Sequence, residues 1–268
     1  MLRLAQTMAT YQKNAALHEL TTKVITCQPV ASLPETYQSV LKGAEADSYA
    51  ITTTDTIFHP QGGGQPSDIG IMKSDPGAET PLFEVKFVRK LPDNQIYHLG
   101  KLSDGAIPPT PGQTILQQID SQKRNFHSRY HTAGHIVSLA VKQLHETIGT
   151  VTELKANHAP GMAFVEFGGL IGGEHKGAIQ ERANELMRRN VPVNIHWWDE
   201  AKAKDFGTAF PEGFTMPDDG VIRVVDIEGI GAYPCGGTHL PMTLDVGEIV
   251  VRKITRKQGF SKVSYDIN

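Results

Sequence analysis

The hydrophobic period of the chain changes at Asp120, and this limits its fold more than any other feature. Before that point apolar residues alternate. In Leu82 to Val88 (LFEVKFV), Phe83, Val85 and Phe87 fall on one face, the two-residue period of a strand. Thr22 to Val30 (TKVITCQPV) and Ser48 to Thr56 (SYAITTTDT) are rich in β-branched residues and read as strands. Pro92-Asp93-Asn94 is a turn, with Gln95 to Leu99 returning from it. Thr114 to Gln118 reads as a last strand after Pro108, Pro109 and Pro111. Beyond Asp120 the spacing becomes helical. Asp120 or Ser121 caps a helix reaching about His145, with Ile136, Leu139, Ala140 and Leu144 as its buried stripe. A second helix is expected over Ala178 to Asn190, with Ala183, Leu186 and Met187 on one side. Strands are expected at Ala163–Phe167, Val191–Trp197, Val221–Ile227, Gly247–Ile254 and Phe260–Tyr265, and a loop at Gly168–Gly173. The expectation is an α+β protein: a β-rich domain over 1–118, a small barrel or sandwich, then an α/β domain over 119–268.

Composition narrows the function classes. A hydrophobic share of 39% in 268 residues supports a sizeable core. No apolar run is long enough for a membrane span, so no membrane partner is expected. A net charge of −3 means that any nucleic-acid binding must use local basic patches. Two distant cysteines, Cys27 and Cys235, fit a reducing compartment. The N-terminal stretch MLRLAQTMATYQKNAALHEL is poor in Arg and Ser for a mitochondrial presequence, which favours a cytoplasmic location.

Two short motifs carry the chemistry. In HTAGH, His131 and His135 lie four apart on the expected helix, so both imidazoles share one face. Taken alone, such a pair is matched by ordinary surface or core histidines. In CGGTH, Cys235 and His239 are again four apart, and the glycines allow a tight turn around a ligand. Three His and one Cys suit Zn²⁺. Cys235 as a small buried hydrophobe and His239 as a core histidine remain open on spacing alone. Thr132 stands where a helical zinc peptidase has its general-base Glu, which argues against a peptidase. Gly62-Gly63-Gly64-Gln65 is glycine-rich but lacks the Lys and Ser/Thr of a P-loop. It is either a flexible hairpin loop or a loop that offers backbone amides and the Gln65 amide to a polar substrate.

Four blocks in order, FHPQGGGQPSDIG, RYHTAGHIV, IRVVDIEGIGAYPCGGTHL and DVGEIVVRKITRKQGFSKVSYDI, resemble the editing domain of alanyl-tRNA synthetase and its free-standing relatives, the AlaX-type alanyl-tRNA editing proteins. The resemblance covers about residues 50 to 267. It implies a free-standing form of intermediate length. It also implies a translation-factor-like β-barrel followed by a two-layer α/β domain shared with threonyl-tRNA synthetase. It makes His131, His135, Cys235 and His239 the ligands of one zinc ion per chain. Gly62, Gly63, Gly64 and Gln65 become the glycine-rich motif beside the pocket, and Thr132 a position for amino-acid discrimination. The blocks depart from the family in DSQKRNFHSRY before the first histidines and at Lys262, where Arg is common; both departures concern the tRNA-facing surface.

The implied activity is deacylation of tRNA(Ala) mischarged with serine or glycine. A pocket sized for alanine cannot exclude glycine, and one hydroxyl or methylene gives only ~10–200-fold discrimination, so a second hydrolytic site is needed. Zinc is expected either in the chemistry or as a structural ion that shapes the pocket while Gln65 and Thr132 position substrate. Four protein donors would close a tetrahedron, whereas catalytic zinc keeps a position open. Expected phosphate contacts are Lys123, Arg124, Arg129, Arg252, Lys253, Arg256 and Lys257, with Arg188 and Arg189 as further candidates. No obligate protein partner is expected. The alternative is a non-catalytic tRNA- or zinc-binding module derived from an editing domain.

Overall fold

The computed structural model describes residues 6–41, 45, 47–210, 213–217 and 219–268. The first five residues of the N-terminal stretch read above for targeting therefore lie outside the described residues. The chain divides into two compact units, one of residues 1–62 and 66–124, the other of 63–65 and 125–268.

The first unit is a closed six-stranded barrel. Its strands are β1 (Glu19–Pro29), β2 (Tyr49–Thr53), β3 (Gly70–Lys73), β4 (Phe83–Lys90), β5 (Ile96–Leu102) and β6 (Thr114–Ile119). They pair antiparallel in the order β1-β2-β5-β4-β3-β6, and β6 closes on β1. Closure removes the exposed edges of an open sheet. Val24, Ile51, Phe58, Met72, Phe83, Val85, Val88 and Ile115 pack as one cluster. A second cluster joins Val30, Leu33, Leu41, Ala50, Leu91, Tyr97 and Leu99. Thus β2 is buried on both faces, with Ile51 in one cluster and Ala50 in the other.

The alternation in LFEVKFV does not hold to its end. The β4–β5 register shifts between Val85 and Phe87, so a bulge changes which residues face inward. Val88 takes the inward place, and Phe87 packs with the second cluster. The barrel also encloses polar groups. His98 Nδ1 donates to Ile51 O at 2.9 Å, and its Nε2 pairs with Thr56 Oγ1 at 2.7 Å. Gln117 Oε1 accepts from the Ile57 N–H at 3.0 Å.

The second unit holds most of helix α1 (Ser121–Gln143), whose first residues belong to the barrel unit. Asp120 is its cap: the Lys123 N–H donates to Asp120 Oδ1 at 2.9 Å. Then come β7 (Thr152–Asn157), β8 (Phe164–Gly168), α2 (Lys176–Arg188), β9 (Val193–Trp198), β10 (Ile222–Ile227), β11 (Gly231–Pro234), β12 (Ile249–Lys257) and β13 (Phe260–Ile267). They form two antiparallel sheets, β12-β13-β8-β7 and β9-β10-β11. Tyr130, Ala133, Ile136, Val137, Leu139, Ala140 and Val141 of α1 share one core with Val165, Val263 and Tyr265 of the first sheet and Val225 and Tyr233 of the second. Helix α1 is therefore buried on more than the single stripe its spacing suggests. Among the described residues no helix is long and apolar enough to cross a membrane.

Candidate metal centre

Helix α1 presents His131 and His135 on one face, and the turn after β11 supplies Cys235 and His239. One donor atom from each of the four lies within 4.8 Å of all the others. His131 Nε2 and His239 Nε2 each lie 3.4 Å from Cys235 Sγ.

The ring orientations follow from hydrogen bonds behind them. Gln65 Oε1 accepts from the Thr238 N–H at 3.0 Å, which identifies it as the oxygen. The same oxygen lies 2.7 Å from His131 Nδ1, so Nδ1 carries the proton and Nε2 keeps its lone pair. Gln65 Nε2 donates to Thr238 Oγ1 at 2.8 Å. The Thr132 hydroxyl donates to Ser128 O at 2.9 Å and accepts from the Leu240 N–H at 3.2 Å. It therefore also accepts from His239 Nδ1 at 3.2 Å, so Nε2, on the side of Cys235 Sγ, carries the lone pair of the His239 ring. Partners of this kind orient metal-ligating histidines and fix their tautomers.

His135 completes the set differently. Its Nδ1 is buried without a hydrogen-bond partner. Burial, then the charge of Arg223, pushes its pKa down to about 3, so the ring is neutral, the form that binds metal. Burial pushes the Cys235 thiol up, against the opposing pull of the Gly237 N–H and Arg223. A bound cation would reverse that shift. A soft thiolate, two imidazoles oriented by hydrogen bonds and a third with an orphaned buried nitrogen fit Zn²⁺ or a similar ion.

Two motif glycines exist for space. A Cβ on Gly237 would stand 2.3 Å from His131 Cε1. A Cβ on Gly134 would stand 2.4 Å from Nδ1 and Cε1 of His158. His158 escaped the sequence reading because it sits outside both motifs, in ELKANHAP. It stacks on His131 with ring centroids 4.2 Å apart and planes at 23°. Its Nδ1 donates to the Tyr265 hydroxyl at 2.7 Å, which donates to Tyr130 O at 2.9 Å. The His158 N–H reaches Gly64 O at 2.8 Å.

The cluster opens on a cavity of about 630 Å³, lined among others by Gly63, Gly64, Ser138, Glu153, Phe167 and Phe210. Gly62 belongs to the barrel unit. Three of the expected site residues are buried. Gln65, expected beside the substrate, is 0% exposed, and its oxygen accepts from His131 and Thr238 behind the donor set. Thr132 is 0% exposed, and its hydroxyl proton and both acceptor positions are taken. Arg124, expected at a phosphate, is 2% exposed and paired with Asp68, and Nη1 donates to Ala15 O at 2.8 Å. Its position on the first turn of α1 reads as surface, but the barrel unit encloses it.

The other cations divide. Arg129 donates to Val246 O and to Asn268 O, each at 2.8 Å through Nη2. Arg252 donates to Gly161 O at 2.8 Å. Arg189 donates to Gly229 O at 3.3 Å, and Arg188 is exposed beside it. Lys123, Lys253, Arg256 and Lys257 are exposed and form no ion pair among the described residues.

Comparison with known proteins gives the family of the chain. The Threonyl and Alanyl tRNA synthetase second additional domain matches residues 222–259, which include Cys235 and His239. The alanine–tRNA ligase of Methanosphaera stadtmanae is 30% identical over 227 residues, 83% of this chain and 24% of the ligase. The alanyl-tRNA editing protein AlaX-L of Pyrococcus horikoshii is 28% identical over 214 residues, 80% of this chain and 50% of that protein. The chain thus spans about a quarter of the ligase and half of AlaX-L. The alanyl-tRNA editing protein AlaX-M of Methanosarcina acetivorans is 30% identical over 228 residues, 82% of this chain and 89% of that relative. With both chains covered nearly throughout, the protein belongs to the alanyl-tRNA editing protein family.

Proposed function

We propose that the protein is an aminoacyl-tRNA deacylase that hydrolyses the ester of tRNA(Ala) mischarged with serine or glycine, using one zinc ion per chain. The observation that carries this reading is the four-residue donor set, with His131 and His239 oriented by buried partners, opening on a cavity. In this reading residues 1–118 form a translation-factor-like barrel domain and 119–268 a two-layer α/β editing domain, in the cytoplasm.

In the reaction, water adds to the ester carbonyl carbon, the bond to the ribose oxygen breaks, and that oxygen takes up a proton. Free amino acid and tRNA with a free terminal hydroxyl are the products. A zinc ion held by His131, His135, Cys235 and His239 would supply Lewis acidity at the carbonyl or lower the pKa of water. Gln65 and Thr132 act from behind, holding His131 and His239 in the tautomers that aim Nε2 at the ion. Gly63 and Gly64 bring backbone to the cavity wall. The exposed Lys123, Lys253, Arg256 and Lys257 are the cations best placed for tRNA phosphates. If they serve that role, binding weakens steeply as salt rises.

The test is release of amino acid from Ser-, Gly- and Ala-tRNA(Ala), with zinc content measured in the same preparation. Release of serine or glycine with alanine spared supports the deacylase. Binding of tRNA without release of any of the three refutes it and supports the non-catalytic module.

A further inference from the structure

The cavity holds a carboxylate that neither the donor set nor its backing uses. Glu153, on β7, is the one acidic residue among the described residues lining it. Ser138 Oγ donates to Glu153 Oε2, and the Tyr233 hydroxyl donates to Ser138 Oγ at 3.0 Å. Tyr233 packs edge-on against His135 with ring centroids 4.9 Å apart. The arrangement fixes one carboxylate oxygen. Among the described residues Glu153 Oε1 has no hydrogen bond and no cationic side chain lies within ion-pair distance; of the two lysines lining the cavity, Lys155 pairs with Glu166, and Lys142 forms no ion pair. Burial raises the Glu153 carboxyl above its usual range, while the Ser138 hydroxyl opposes this. A carboxylate half withdrawn from water and left without a counter-charge is costly, and a cation from outside would relieve the cost.

Helix α1 indicates where such a cation would sit. His131, His135, Ser138 and Lys142 recur at helical spacing on one stripe, and all four line the cavity. At ~1.5 Å per residue, Ser138 lies about 7.5 Å along the axis from the midpoint of the two histidines. One extended amino-acid residue of about 3.5 Å and one charge-assisted hydrogen bond of about 2.8 Å nearly fill that span. That length is of the order of a single esterified amino acid.

We propose that Glu153, held by Ser138 and Tyr233, binds the α-ammonium group of the amino acid esterified to the tRNA. This orients the ester carbonyl toward His131, His135, Cys235 and His239. It assigns the substrate amine to a protein carboxylate and makes a free α-amine a condition of efficient hydrolysis. The inference rests on the deacylase reading above.

The experiment compares Ser-tRNA(Ala) with N-acetyl-Ser-tRNA(Ala), in which the ammonium is replaced by a neutral amide. The wild-type protein is expected to prefer the free amine by about 10- to 100-fold in kcat/KM, the range of one hydrogen bond to a charged group. Glu153→Gln should lower kcat/KM for the free amine by a similar factor and bring the two esters within about threefold. Its zinc content should match wild type. Ser138→Ala should lose part of the preference, because it frees the carboxylate without removing it. Equal wild-type rates on the two esters, or a Glu153→Gln variant that keeps the wild-type preference, overturns the assignment. Absence of hydrolysis of both esters by the wild type instead overturns the deacylase reading itself.

Discussion

Gly134→Ala sets two effects against each other, and the structure decides which wins. Helix propensity alone favours Ala by about 1 kcal/mol in a helix interior. At this position, however, the new methyl group would lie 2.4 Å from His158 and 2.6 Å from the Tyr265 hydroxyl oxygen. Both neighbours are buried, and His158 is pinned on the other side by its stack with His131. Overpacking of a filled core costs about 1–3 kcal/mol. Displacing His158 also breaks its hydrogen bond to Tyr265 and leaves buried groups unpaired, about 1–3 kcal/mol more. After subtracting the propensity gain, the net is a destabilisation of about 1–5 kcal/mol. Gly177, in the first turn of α2, is the control, because a Cβ there meets nothing within 4 Å. Gly177→Ala should stabilise by about 0.5–1 kcal/mol. The assay is urea unfolding followed by tryptophan fluorescence. Both tryptophans, Trp197 and Trp198, lie in the second unit, so the signal reports that unit. A Gly134→Ala protein as stable as wild type would refute the packing argument, and with it the reason for glycine in HTAGH.

Three further outcomes are expected. Gln65→Ala should weaken zinc affinity about 10–100-fold, read by competition with a chelator, because the partner that orients His131 is lost; unchanged affinity would restore Gln65 to a substrate-facing role. Arg124→Met leaves Asp68 buried without its cation and should cost the barrel unit about 3–5 kcal/mol by denaturant unfolding, whereas a neutral effect would mean the pair contributes nothing. Acidification should destabilise the barrel through His98, whose pKa burial pushes down to about 4 from an ordinary 6.5. The unfolded chain then binds the extra proton, so stability falls as pH drops from about 6.5 to 4, by about 3 kcal/mol. His98→Asn should flatten this part of the profile in urea unfolding measured at several pH values; an identical slope in the variant would remove His98 as the cause.

Much of the architecture was legible because periodicity is a local record of burial. The change of period at Asp120, the Asp120 cap and the strands flanking Pro92 to Asn94 all appear in the fold where their spacing puts them. The failures are equally physical. The bulge in β4 transfers the inward position from Phe87 to Val88, and an irregularity of one residue leaves no mark in composition. The two-residue period cannot distinguish a barrel from a sandwich, since both bury alternate residues; closure of β6 on β1 is a long-range event. Arg124 lies on the first turn of a helix, where charged residues are normally solvated, and only the surrounding tertiary structure enclosed it.

For the site, the chain by itself determined the donor chemistry. Two short motifs list three imidazoles and one thiol, and helical spacing puts the first two on one face. Tertiary structure decided what those donors do. Gln65 lies 66 positions from His131 and 173 from Thr238, His158 lies 107 from Tyr265, and Tyr233 lies 95 from Ser138. Hydrogen bonds across such separations follow no sequence period, because they are set by where elements meet and not by how each one repeats. That is why Gln65 and Thr132 were read as residues facing a substrate and are found facing inward. It is also why Glu153, one acid in an unremarked strand, becomes visible only once β7 and α1 line the same cavity.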